Sequence, residues 1–332
     1  MSRESLVGVR APELVGNDWL NSEPLTLKKL LDDEKTVLID FWTYSCINCL
    51  RTMPHLKDWW TKYQDKGLVI IGVHSPEFDF EKEPKNILAA MKDLNITWPI
   101  LNDADHLTWK AYNNHYWPRH LLLNHQGKII YDHIGEGNYP ETEAAIQQTL
   151  SEDQGRTDLP KVNSVDHQHK LGAVCHPINP ETYLGSNRGH IKNKETASFI
   201  DPKTDQPGIS LDGDWKIEDK FIVPGPQAKP TDYVSLIFSA TEVNLVGRAD
   251  QKPVKLKITL NDLPLATDTR GADILEEKGE TWLELSSPRM YQVIKSDRYL
   301  SPAELKIEVT EAGFRLYVFT FGGCTDSWLT VS

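Results

Sequence analysis

Apart from Thr36 and Asp40, residues 36–42 are continuously apolar. A run of that length predicts a central strand covered on both faces of a sheet. Leu68-Val69-Ile70-Ile71-Gly72-Val73 predicts a second buried strand, and the segment between them, from about Cys46 to Gln64, predicts a helix. Residues 84–95 carry Ile87, Leu88, Met91 and Leu94 at helical spacing with Pro84 early, a helix signature. Residues 105–113 predict a short helix and residues 140–150 a closing one. Leu121-Leu122-Leu123 and Ile129-Ile130-Tyr131 flank a polar turn with Gly127, which predicts a hairpin. Nearer the start, Thr26 is placed to cap a short helix with Leu27, Leu30 and Leu31 on one face. Leu14-Val15 and Trp19-Leu20 around Gly16-Asn17-Asp18 predict another hairpin. Strands alternating with helices over residues 1–152 define an α/β layered domain.

The texture then changes. Residues 153–181 are rich in Asp, Gly, Pro, Asn, His and Lys and predict a linker or irregular docking segment. Short alternating runs follow at 233–238, 254–260, 281–285, 305–309 and 315–321, separated by turn residues. They predict an antiparallel β-sandwich for residues 182–332. A chain of 332 residues also exceeds the usual size of one core.

The net charge is −12, spread over both halves, and no stretch concentrates Lys or Arg, so nucleic acid is not an expected partner. No window approaches the roughly 18 apolar residues of a membrane span. Met1-Ser2-Arg3-Glu4-Ser5 has no apolar signal core. Two readings stand: a cytosolic protein, or one whose secretion signal or anchor lies outside this sequence. No cofactor is expected.

Cys46-Ile47-Asn48-Cys49 sits where the first buried strand feeds a helix. A helix N-terminus offers unpaired N–H groups and partial positive charge, both of which stabilise a thiolate, the reactive form of cysteine. Cys46 is then the attacking thiol, and Cys49, one turn inside, resolves the mixed disulfide. A zinc site needs a second ligand pair at comparable spacing. His167-Gln168-His169 and Cys175-His176 lie far along the chain in polar surroundings and read as solvated, so no metal is expected. Cys175 and Cys324 are either a structural disulfide, contributing on the order of 4–5 kcal/mol in the chain-entropy model, or two free thiols.

Asp40-Phe41-Trp42, then three residues, then Cys46-x-x-Cys49 resembles the thioredoxin superfamily. The chain is most similar to its TlpA/ResA-like members. Gly72-Val73-His74-Ser75-Pro76-Glu77-Phe78, Tyr116-Trp117-Pro118, Gly135-Glu136-Gly137 and Pro180-Glu181-Thr182-Tyr183-Leu184-Gly185 look most like DipZ proteins. In that family a thioredoxin-like domain is fused to a CcdA-type membrane electron carrier and followed by a jelly-roll, carbohydrate-binding-module-like β domain.

The resemblance implies that Pro118 is the cis-proline beside the dithiol and that the backbone of Trp117 pairs with a substrate strand. This position is often smaller in relatives. It implies that Asp40 is the buried acid, able to take a proton from Cys49 during resolution, and that Trp42 shields the dithiol and helps form the substrate groove. Thr43 resembles the Thr-x-x-Cys of peroxiredoxins, but Ile39 stands where their proline is expected. Trp215, Trp282, Trp328, Tyr291, Tyr299 and Tyr317 are candidate sugar-stacking rings, though aromatics at strand spacing are more often core. The expected function is a thiol–disulfide oxidoreductase acting on disulfide-bearing proteins, fed as a reductase by a CcdA-like carrier, outside the cytoplasmic membrane. The rival is a cell-surface protein that binds a glycan or a protein through its β domain.

Overall fold

The computed structural model describes residues 5–162, 174–193, 199 and 205–325, so His167, His169 and Trp328 lie outside the described residues. The chain divides into two compact units, Met1–Gln168 and His169–Ser332. No described helix is long and apolar enough to cross a membrane.

The first unit runs β1 (Trp19–Leu20), α1 (Leu27–Asp32), β2 (Thr36–Trp42), α2 (Ile47–Tyr63), β3 (Leu68–His74), α3 (Pro84–Asp93), β4 (Ile100–Asn102), α4 (Leu107–Ala111), β5 (Arg119–Leu123), β6 (Ile129–Ile134) and α5 (Tyr139–Gln154). Its six strands form one sheet in the order β1-β4-β3-β2-β5-β6. The ladders β2–β3 and β3–β4 are parallel; β1, β5 and β6 pair antiparallel to their neighbours. Continuous burial along β2 and β5 accounts for their apolar runs, because helices and loops cover both faces. Alternation sends Val37, Ile39 and Phe41 to one face, where they pack with Leu27, Leu30, Ile71, Val73, Leu121 and Leu123. Leu38, Asp40 and Trp42 fall on the other face. Thr26 caps α1 by accepting a hydrogen bond from the Lys29 N–H.

The hairpin expected around Gly16 does not form. The Thr108 hydroxyl takes both polar groups of Val15, accepting from its N–H at 2.9 Å and donating to its carbonyl at 3.0 Å. Trp19 and Leu20 pair with Leu101 and Ile100 instead, on a strand too short to read from the sequence. The β5–β6 ladder holds a buried ion pair. Arg119 Nε and Nη2 donate to the two Asp132 oxygens at 2.9 and 2.8 Å, and the side chains are 3% and 2% exposed. Removing one member of a buried pair strands the other's charge. Asp132→Ala is expected to lower the stability of this unit by about 3–5 kcal/mol; an unchanged urea midpoint would contradict that.

The second unit is antiparallel throughout its main sheet. Two strands, Tyr233–Ala249 and Arg289–Glu308, span the positions where the sequence predicted shorter ones. They pair along their length with register shifts at Phe238/Ala240, Ala240/Glu242 and Val243/Asn244. The first part of Tyr233–Ala249 takes Gly208–Asp212 as its other neighbour, and the later part takes Phe314–Gly322. Tyr233–Ala249 therefore changes neighbour along its length, around a core that includes Leu236, Phe238, Leu245, Leu256, Leu305 and Phe319. Trp215, Tyr291 and Tyr317 are buried at 5%, 0% and 3% exposure, whereas Trp282 and Tyr299 are half-buried. Val174–Cys175 pairs with Cys324–Thr325, and a disulfide joins Cys175 to Cys324.

Candidate active site

Cys46 ends the loop after β2 in an extended conformation (φ −85°, ψ 116°) and caps α2. The Cys49 N–H donates to its Sγ at 3.3 Å. A sulfur that receives a helix N–H at the positive end of the dipole is held ready for negative charge. Cys46 is partly exposed and Cys49 fully buried, and both are free thiols. Burial pushes the Cys49 thiol well above its usual range, and the neighbouring Cys46 sulfur and Asp40 carboxylate push it the same way. One thiol can therefore meet a partner, and the other stays protonated until a base reaches it.

Asp40 lies on the α2-facing side of β2 with its side chain 1% exposed. Its oxygen Oδ1 is 3.3 Å from His120 Nε2, and His120 is equally buried. The Trp117–Pro118 peptide is cis. Pro118 is buried, and its carbonyl accepts from the Gly135 N–H at 2.8 Å. Trp117 is half-buried: its indole N–H donates to the Ser75 carbonyl at 3.0 Å, and its ring lies 4.4 Å from that of Trp109. Trp42, expected on the substrate groove, is instead 0% exposed. Gly72 beside it makes the room, since a Cβ there would come within 2.9 Å of Trp42 Nε1. Trp42 packs edge-on against His74 at 5.1 Å and offers no surface to a partner.

A cluster not anticipated from the sequence holds the loop that carries Cys46. Glu81 is fully buried; its Oε1 accepts from the Thr43 and Ser45 hydroxyls at 2.5 and 2.6 Å. Its Oε2 accepts from the backbone N–H groups of Glu77 and Phe78 at 2.7 and 2.9 Å. Burial raises the Glu81 carboxyl above its usual range despite these four donors. Thr43 Oγ1 also lies 3.4 Å from His74 Nε2, and burial pushes His74 down to about 3. With its hydroxyl held by Glu81, Thr43 anchors the loop. In the sequence Glu81 is one acid in the charged run Asp79-Phe80-Glu81-Lys82-Glu83, where nothing singles it out. Among the described residues no group of His, Cys, Asp and Glu could hold a metal ion.

A partly exposed thiol capping a helix, a buried thiol one turn on, and a cis-proline loop on a sheet of this order define a thioredoxin-like dithiol domain. Residues 7–132 match the AhpC/TSA family, and residues 179–322 match the thioredoxin-like C-terminal domain family. The chain is 31% identical over 325 residues to the protein DipZ of Mycobacterium tuberculosis, covering 94% of this chain and 43% of DipZ. It thus spans less than half the length of that relative. It is 33% identical over 142 residues to the thiol-disulfide oxidoreductase YkuV of Bacillus subtilis, covering 42% of this chain and 94% of YkuV. A solution structure of a thioredoxin-like protein in its oxidized form is 33% identical, covering 43% of this chain and 95% of that one, with a TM-score of 0.40. The chain belongs to the thioredoxin-like thiol–disulfide oxidoreductases.

Proposed function

We propose that this protein reduces disulfides in partner proteins. The Cys46 thiolate attacks one partner sulfur, forming a mixed disulfide and releasing the other partner sulfur as a thiolate. Cys49 then yields its proton to Asp40 and attacks Cys46 Sγ. The second partner thiolate departs, and two electrons have passed from the dithiol to the partner. The observation that carries this reading is the division of labour at the start of α2, with Cys46 partly exposed under the Cys49 N–H and Cys49 wholly buried. The bond from the Trp117 indole to Ser75 keeps that ring out of the way, so the backbone before Pro118 is offered to an extended substrate segment.

Electrons return from a CcdA-like membrane carrier, and the working place is outside the cytoplasmic membrane, in the periplasm or at the cell surface. The likeness to DipZ across 94% of the chain supports this placement. In functional terms residues 1–152 are the redox domain, 153–181 the linker and 182–332 a docking or spacer domain. Of the aromatic candidates in that β domain, Trp282 is half-buried and available to a protein or glycan partner, whereas the half-buried Tyr299 already stacks on His176 and bonds to the Pro177 carbonyl. Equilibration of the Cys46–Cys49 pair in dithiothreitol buffers, with thiol trapping, tests the direction. A potential near thioredoxin's, about −270 mV, is expected. A value near about −120 mV would mark an oxidant and overturn the proposed electron path.

A further inference from the structure

His120 has no part in the steps above, yet it is placed as few buried histidines are. On the antiparallel β2–β5 ladder Asp40 and His120 are direct cross-strand partners, and on β5–β6 His120 is the direct partner of His133. The three side chains form a row across the sheet, from beneath the dithiol to β6, which is the edge strand. The Asp40 and His120 side chains are each 1% exposed, and His120 Nε2 approaches Asp40 Oδ1 to 3.3 Å. Neither carboxylate oxygen and neither ring nitrogen has a hydrogen-bond partner among the described residues. The titratable groups facing His120 are Asp40 from β2 and His133 from β6; α2 presents the Trp59 ring, edge-on at 5.8 Å. Burying a carboxylate and an imidazole together is costly when each lacks partners, and an apolar pair would pack at less expense. What the pair offers in return is a proton acceptor behind Asp40.

We infer that His120 is a positioning and relay residue for the resolving step: it takes from Asp40 the proton that Asp40 takes from Cys49. The inference rests on the reading of Asp40 given above. The Cys49 proton moves to Asp40 and on to His120 Nε2. The imidazolium then faces a restored carboxylate, and the Cys49 thiolate is free to form its bond to Cys46 Sγ. The pair becomes neutral overall as the negative charge moves to sulfur, so the buried cluster carries the same net charge before and after. His133, with its ring centroid 6.3 Å from that of His120 and only half-buried, is the next titratable group toward solvent.

The test is a single turnover of the reduced full-length chain with 5,5′-dithiobis(2-nitrobenzoate). Release of the first thionitrobenzoate reports attack by Cys46. Release of the second reports resolution by Cys49. Two electrons leave the dithiol, and the protons of both thiols end in solvent. His120→Gln keeps a polar side chain beside Asp40 but cannot carry a proton. It is expected to leave the first phase unchanged and to slow the second by ~10²-fold, the lower end of what a positioned proton-transfer group supplies. It should also flatten the pH profile of that phase. A second phase with the wild-type rate and profile overturns the inference. So does an equal fall in both phases with the pH profile retained, which is the mark of a packing defect. Asp40→Asn separates the two readings. A slow second phase in Asp40→Asn with a normal one in His120→Gln removes His120 alone. A normal second phase in Asp40→Asn removes the role of Asp40 and the relay with it.

Discussion

Cys49→Ser is expected to turn the protein into a trap. Cys46 still attacks a partner disulfide, but nothing inside the protein can release the mixed disulfide. Resolution by a neighbouring thiol is intramolecular, and well-oriented intramolecular reactions carry effective molarities of ~10⁵–10⁸ M. External thiols at millimolar concentration cannot replace that. In a single turnover of the pre-reduced protein with the disulfides of insulin, with no added small thiol, release of the reduced substrate should fall by at least ~10³-fold, and the covalent adduct should accumulate as a discrete mass. Cys46→Ser should abolish both turnover and adduct. Folding should be little disturbed in either variant, because serine fits the same space. If Cys49→Ser turned over at the wild-type rate, the assignment of attacking and resolving thiols would be lost.

The second large effect is expected at Glu81, which touches neither sulfur. Glu81→Ala leaves two hydroxyls and two backbone N–H groups without their acceptor, at a cost of about 1–3 kcal/mol for each buried group that water cannot reach. A net loss of about 5 kcal/mol is expected once some water enters, a large share of the stability of an ordinary domain. The Thr43–Ser45 loop should loosen with it, so alkylation of Cys46 should change as well. The pH dependence has a definite sign. The folded-state carboxyl of Glu81 is raised above its ordinary 4.5. Its contribution to stability is complete below pH 4.5 and is lost as pH rises through the raised value. His74 acts in the opposite sense. Lowered from 6.5 to about 3, it contributes above pH 6.5, and that stability drains away as pH falls toward 3, by on the order of 5 kcal/mol over the full span. The two slopes oppose one another just above pH 4.5, and below it His74 acts alone. Glu81→Gln should therefore expose the His74 slope from pH 6.5 downward. Urea midpoints between pH 3 and 8 check this, and superimposable curves for wild type and Glu81→Gln would sink it.

Much of the redox unit was legible because its strands are buried on both faces. Runs such as Val37–Phe41 and Leu68–Val73 have few alternative fates, and the capping role of Thr26 is local. The Gly16 hairpin misled because the group that captures Val15 is Thr108, distant in sequence. In the β unit, Thr241, Glu242 and Asn244 look like a break between strands. They lie instead at register shifts within one strand, where irregular pairing admits polar residues. Of the site, Cys46 and Cys49 announce themselves by spacing, and Asp40 and Pro118 were reached only through the resemblance to a family. Trp42 did not reveal its burial, which depends on a glycine on the next strand. His120 and Glu81 stayed hidden because their partners are set by strand register and by a turn far from the motif. Neither relation leaves a local pattern.

The two long strands of the β unit also bear on how the chain is made. Tyr233–Ala249 needs Phe314–Gly322 as the neighbour of its later part, and Cys175 must wait for Cys324, 149 positions on. The first unit holds all its strands by Ile134, and its last helix ends at Gln154. During synthesis the described segments of the redox unit are all available before the strands of the β unit are made. The β unit cannot close its central ladder until Phe314–Gly322 has emerged, so long-range pairing makes it the slower and more exposed of the two.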